Sequence, residues 1–188
     1  MQSLSDEELY LSVLSGGDDA LAELLSRYRE GLTLFICQYV GSPEDAEELM
    51  LDAFAEMASG LTRFRGQSAF RTWLFAIGRN KAVSFLRRKR LSFFRLHEEQ
   101  AGELSAPGPE FSCLRQESRA ELYSAMEKLN DDYRRALYLI YFEGMSYSDA
   151  AAVMGKSEKQ LTNLAYRGKA RLRELLTLSG ADFEELLR

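Results

Sequence analysis

Four stretches in the first half of the chain repeat apolar residues every three or four positions, the spacing of one helix face. In SLSDEELYLSVLSG, Ser5 stands three residues ahead of Glu8, a capping-box signature, and Gly16-Gly17 close the segment, so a first helix is predicted here. ALAELLSRYREGLTLFICQYV carries Leu21, Leu24, Leu25, Tyr28, Leu32, Phe35 and Ile36 at helical intervals and is predicted to bury that face. SPEDAEELMLDAFAEMASGL opens with Ser42 as a cap, Pro43 at the first helical position and acids in the first turn, where the helix dipole favours them. A long fourth helix is predicted from about Ser68, with Phe70, Leu74, Ile77 and Phe85 on its buried face and Trp73, Asn80 and Ser84 on an adjoining one.

The periodicity lapses over RLHEEQAGELSAPGPEFS, residues 95–112, where Pro107 and Pro109 fall close together among polar residues and glycines, the composition of a linker. It resumes after residue 112 and runs to about 178. The fold expected is therefore all-α: two small helical domains, 1–94 and 113–178, joined by a flexible linker, 95–112, and followed by a short acidic tail, 179–188.

The second domain ends in SYSDAAAVMGKSEKQLTNLAYRGKARLRELL, which has a helix-turn-helix layout. Ser146 caps a short first helix, Ala151 is the small residue between the helices, Gly155 makes the turn, and Met154 and Leu161 supply the apolar contact across it. A plain helical hairpin would show much of the same pattern. The second helix is predicted to bury Leu161, Leu164 or Ala165, Gly168, Leu172 and Leu175. That leaves Lys159, Gln160, Thr162, Asn163, Tyr166, Arg167, Lys169 and Arg171 toward solvent. Amide side chains pair bidentately with adenine and basic ones meet phosphates, so Gln160 and Asn163 are the base-reading candidates. Lys169, Arg171 and Arg173 are equally readable as a solvated turn complementing the helix dipole.

Charge changes the picture more than composition does. The chain of 188 residues has a formal net charge of −5, yet the signs segregate. Residues 1–60 carry thirteen acids against two bases, while residues 61–96 carry ten bases and no acid, so a polyanion would meet a strongly cationic segment despite the acidic total. Trp73 and Asn80, seven residues apart on one helix, offer an aromatic plane and an amide amid this field, which suits single-stranded nucleic acid. Core packing is the alternative for the tryptophan, and a solvated helix end for the RRKR run at 87–90. Cys37 and Cys113 are widely spaced and His97 is the only histidine, so no metal site is assembled and both cysteines read most simply as reduced thiols. No apolar run reaches the length of a membrane span, and the acidic start does not read as a secretory signal, so a cytoplasmic protein without membrane insertion is expected. No catalytic constellation is visible and no cofactor is expected.

Three runs, DAEELMLDAF, FRGQSAFRTWLFAIGRNKAVSFLRR and EKLNDDYRRALYLIYFEGMSYSDAAAVMGKSEKQLTNLAYRGKARLRELL, together resemble a bacterial RNA polymerase sigma factor of the extracytoplasmic-function type. The resemblance implies a first domain that binds core RNA polymerase and the melted minus-ten promoter element, and a second that binds the minus-thirty-five element. By it, Asp45, Glu48, Leu49, Asp52 and Phe54 match the segment that docks on polymerase. Gly66, Gln67, Ser68 and Phe70 match the loop that captures a flipped base of promoter DNA, and Arg71, Trp73, Arg79, Asn80, Lys81, Arg87 and Arg88 line the adjoining strand path. Lys156, Lys159, Gln160, Thr162, Asn163, Arg167 and Arg171 match the upstream-element contacts. An anti-sigma factor is a partner the family commonly has. The chain departs from the family at Leu51, where a polar residue is usual, at Ala58, where a tryptophan is frequent, and at Thr162, Asn163 and Leu164, where a basic and small-polar run is usual; Lys156 replaces an apolar residue. A stand-alone helix-turn-helix regulator that does not engage polymerase is the alternative, and core binding separates the two.

Overall fold

A computed structural model describes residues 4–96 and 120–179. Apart from Arg95 and Leu96 the expected linker lies outside the described residues, and so does the expected tail apart from Ser179. The regular structure of the described residues is helical, and they divide into two compact units, 4–63 with 77–96 and 64–76 with 120–179.

In the first unit, α1 (Asp6–Leu14) starts as its sequence dictates: the Glu8 amide donates to Ser5 Oγ, and the Ser5 amide donates back to Glu8 Oε2 at 2.8 Å. The helix buries Leu9, Tyr10 and Val13 and is tied to α2 (Asp18–Val40) through Asp6, which accepts from Tyr28 and pairs with Arg27 at 2.7 Å. The core of the unit lies between α2 and α3 (Pro43–Ser59), with Leu24, Leu32, Phe35 and Ile36 facing Ala46, Met50, Ala53 and Met57. The Ser42 cap and Pro43 stand where the sequence places them, and α2 ends at Gly41 with φ 76°, a left-handed cap that favours glycine. Cys37, expected as a reduced thiol, is buried on α2 and disulfide-bonded, which the spacing of the cysteines did not signal. Cys113 lies outside the described residues.

The long helix α4 (Phe70–Leu96) begins two residues later than expected and runs into the expected linker. Phe70, Leu74 and Ile77 are buried as predicted, but Phe85 is half-buried, because the stripe continues along Leu74, Gly78 and Ala82 at strict four-residue steps. Gly78 permits that path. A methyl group there would stand 2.7 Å from Leu32 Cδ1 and 3.2 Å from Ile36 Cδ1, so a larger residue would make those side chains shift.

In the second unit, α5 (Ala120–Glu127) and α6 (Asp131–Leu137) lead into a π-helical turn, Tyr138–Phe142, and then into α7 (Tyr147–Met154) and α8 (Glu158–Ser179). Ser146 caps α7 by accepting from the Asp149 amide at 3.1 Å, and Gly155, φ 64°, ends it, which is the predicted helix-turn-helix arrangement. On α8 the buried positions are Leu161, Ala165, Gly168, Leu172 and Leu176. The open choice between Leu164 and Ala165 falls to Ala165, and Leu176 takes the place expected of Leu175. The small pair Ala165 and Gly168 brings α8 close to α6: a Cβ on Gly168 would lie 3.1 Å from Tyr133 Cβ and 3.3 Å from Leu137 Cδ1.

Residues 64–76, assigned from sequence to the first domain, group with the second unit. Two hydrogen bonds go with that grouping: Arg71 donates to the Glu143 carbonyl, and Thr72, buried, donates to Asp149 Oδ1 at 2.9 Å.

Candidate protein and nucleic-acid interfaces

Helix α3 has two faces, and they divide the five polymerase-docking candidates. Leu49 and Phe54 are each 3 % exposed and belong to the core, so they hold α3 in place and do not form its outer surface. Glu48 and Asp52 are exposed one turn apart, with Leu51 beside them. Asp45 is half-buried; its amide donates to Ser42 Oγ, and its carboxylate lies 3.9 Å from Lys89 Nζ.

The loop before α4 turns at Gly66, whose φ of 68° is a left-handed conformation, with open space around it. Gln67 and Ser68 are exposed there. Phe70 is buried, its ring centroid 5.6 Å from that of Phe64 and 5.5 Å from that of Trp73, while Phe64 and Trp73 are 5.4 Å apart. Phe70 is thus the floor of a three-ring cluster. Trp73 is half-buried: part of its ring system packs in the cluster and the rest is accessible. Asn80 is exposed and accepts from Arg79 at 3.3 Å. Arg87 and Arg88 are exposed.

Two of the expected strand-path cations are engaged elsewhere. Arg71 donates to the Glu143 carbonyl, and Lys81 pairs with Glu56 at 2.7 Å. Glu56 also accepts from Thr62 at 2.6 Å, and these two partners, Lys81 first, hold its carboxyl below the usual range despite some burial. Replacing Lys81 by Met is therefore expected to move the Glu56 titration back up toward an ordinary glutamate, followed by carbon-detected NMR. The sign is that of a depressed acid: the stabilisation is present above the unfolded carboxylate's pKa and is lost as pH falls through the lower folded value.

On α8, Lys159, Gln160, Thr162, Asn163, Arg167 and Arg171 are exposed, as predicted, and Lys156 in the preceding turn is half-buried. Their availability differs. Gln160 Oε1 accepts from the Ser157 amide at 2.8 Å and from Ser157 Oγ at 3.1 Å, while the Gln160 amide donates to Ser157 Oγ, so its carboxamide closes a capping box at the helix start. Thr162 Oγ1 donates to the Glu158 carbonyl, Lys156 pairs with Asp132 at 2.9 Å and Arg171 with Glu174 at 2.8 Å. Asn163 carries none of these commitments and is the amide left to face a ligand. Tyr166, which the sequence reading set toward solvent but not among the contacts, is 77 % exposed and lies three and four residues beyond Asn163 and Thr162 on the same face. The signal for it was that spacing. Among the described residues no cluster of acids, cysteines and histidines could hold a metal ion, and no helix is long and apolar enough to cross a membrane.

Comparison with known proteins agrees with this architecture. The family models for sigma-70 region 2 and sigma-70 region 4 match residues 24–91 and 119–172. RNA polymerase sigma factor CnrH of Cupriavidus metallidurans is 31 % identical over 92 % of this chain and 94 % of its own length. The ECF RNA polymerase sigma-E factor of Escherichia coli is 33 % identical over 81 % of this chain and 84 % of its own length. Among solved structures, CnrH in complex with the cytosolic domain of CnrY aligns with a TM-score of 0.62 at 27 % identity, covering 92 % of this chain and 97 % of that one. The sigma factor RpoE in complex with the anti-sigma factor NepR from Bartonella quintana gives a TM-score of 0.62 at 28 % identity, covering 83 % and 96 %. With both sigma-70 regions present and such relatives spanning most of its length, the chain belongs to the sigma-70 family, among the RNA polymerase sigma factors of the extracytoplasmic-function type.

Proposed function

We propose that this sigma factor divides its work among three surfaces. The outer face of α3, around Glu48 and Asp52, binds core RNA polymerase. The loop at Gly66–Ser68, with Trp73 and Asn80 on α4 and the exposed Arg87 and Arg88, holds the melted minus-ten strand. The outer face of α8, chiefly Asn163, Tyr166, Lys159 and Arg167, reads the minus-thirty-five element. The first two belong to a domain spanning about 1–94 and the third to one spanning about 113–178. The observation that carries this reading is the opposition of chemistries in the region-2 segment: exposed carboxylates on α3, and an accessible indole, an exposed amide and uncompensated guanidinium groups on and just before α4. Stacking plus a cationic track accommodates unpaired bases.

The protein has no catalytic chemistry of its own, acts in the cytoplasm and answers to an anti-sigma factor. The complexes in which CnrH and RpoE were solved support that last point. The reading is tested by transcription with purified core polymerase on duplex and pre-melted templates. Asn80→Ala is expected to lose about 1–3 kcal/mol of base discrimination in the downstream element, the usual worth of one good base contact. Discrimination unchanged on both templates would make Asn80 a solvated helix residue and nothing more.

A further inference from the structure

We propose that Leu51 is the apolar anchor of the polymerase contact, seated in an apolar socket of the polymerase surface whose rim is basic; this rests on reading α3 as the polymerase face. Exposed residues Glu44, Glu48, Leu51, Asp52 and Ala55 follow helical steps along α3 and form one stripe. The apolar residues aligned with polymerase docking, Leu49 and Phe54, are almost wholly buried and offer a partner little apolar surface. Leu51 can: it is 53 % exposed, the one large apolar side chain in a stripe otherwise carboxylate or alanine. A single exposed leucine is ordinary on a surface. This one sits at the centre of the acidic face, with Glu48 and Asp52 on either side. Glu48 and Asp52 beside it also edge an open groove between α3 and α4 that includes the half-buried Phe85.

An apolar group ringed by charges is the arrangement of a binding hot spot, in which the rim excludes water from a desolvated centre. The chemistry of the partner follows by complementarity. It presents lysine or arginine toward Glu48 and Asp52 and an aliphatic or aromatic surface toward Leu51. The two parts are separable kinetically, because rim charges chiefly govern association and its salt dependence while a desolvated anchor governs dissociation.

The test measures affinity for purified core polymerase at low and high salt for the wild type, Leu51→Ala, Leu51→Gln and the double variant Glu48→Gln with Asp52→Asn. Thermal unfolding checks that each is folded, which the exposure of all three positions favours. Leu51→Ala and Leu51→Gln are expected to bind roughly 10- to 30-fold more weakly at both salts, through faster dissociation. The double variant is expected to lose affinity mainly at low salt. If Leu51→Gln binds as well as the wild type, the contact is polar and the anchor is refuted. Loss in the double variant with none in Leu51→Ala refutes the anchor but leaves α3 as the polymerase face. No loss in any variant refutes the face itself.

Discussion

Arg134→Ala is expected to destabilise the helical domain containing residues 120–179 by about 3–5 kcal/mol, read as a shift in the thermal or denaturant midpoint of the full chain. Arg134 is 1 % exposed, among the largest fully buried side chains of the described residues, although an arginine is seldom buried without a reason. Its Nη1 donates to the Leu129 carbonyl at 3.2 Å and the Glu127 carbonyl at 3.4 Å, and its Nη2 pairs with Asp131 at 2.6 Å. Those carbonyls lie at the end of α5, where helix acceptors lack partners, and Asp131 opens α6. One planar group therefore closes one helix and fixes the start of the next. Burial pushes the guanidinium pKa down and Asp131 opposes that, so the charge is held by its partners against the cost of desolvation. Truncation leaves buried acceptors without donors and a cavity beside them. Arg134→Lys is expected to recover only part of the loss, since an ammonium lacks the fork that spans both targets. A midpoint for Arg134→Ala indistinguishable from the wild type would show that water replaces the staple at no cost.

Nothing in DDYRRALYLIYF announces that staple, because in sequence an arginine beside aspartates reads as a solvated helix face. The π turn is equally silent: the bond from the Glu143 amide to the Tyr138 carbonyl, 3.2 Å, adds one residue to a segment whose apolar pattern is continuous. Local devices were legible. Ser5 with Glu8, Ser42 with Pro43, and Ser146 before Asp149 act within a few residues, and each cap forms where the sequence puts it. The same grammar was present at Ser157 and Gln160 and competes with the reading of Gln160 as a base contact. Periodicity could also have moved Leu49 inward, since Ala46, Leu49, Met50, Ala53 and Met57 make an unbroken buried stripe. What no local pattern reveals is which cations are spent on the protein itself, because Lys81 with Glu56 and Lys156 with Asp132 are brought together only by packing.

That partition of cations sets the second large effect. Arg63, Arg65, Arg87, Arg88, Lys159 and Arg167 are exposed and carry no ion pair among the described residues, whereas Lys81, Lys89, Lys156 and Arg171 each have a carboxylate partner. A cation that meets a phosphate releases condensed counterions, and each such contact adds about 0.7 to 0.9 to the slope of log affinity against log salt. If all six unpaired cations engage promoter DNA, this chain's share of the holoenzyme's affinity falls several hundred-fold or more, roughly, between 50 and 200 mM salt. A cation already paired must break its bond to do the same and gains little by it. Arg87→Ala combined with Arg88→Ala is therefore expected to reduce the salt slope of promoter binding by about 1.4 to 1.8, whereas Lys81→Ala combined with Lys156→Ala changes it little. The measurement is holoenzyme affinity for one promoter over a salt series, with core polymerase constant so that its own charges cancel in the difference. Equal slope changes for the two double variants would mean that the ion pairs open on DNA. No change for the Arg87 and Arg88 pair would make the basic end of α4 a solvated helix terminus facing away from the strand.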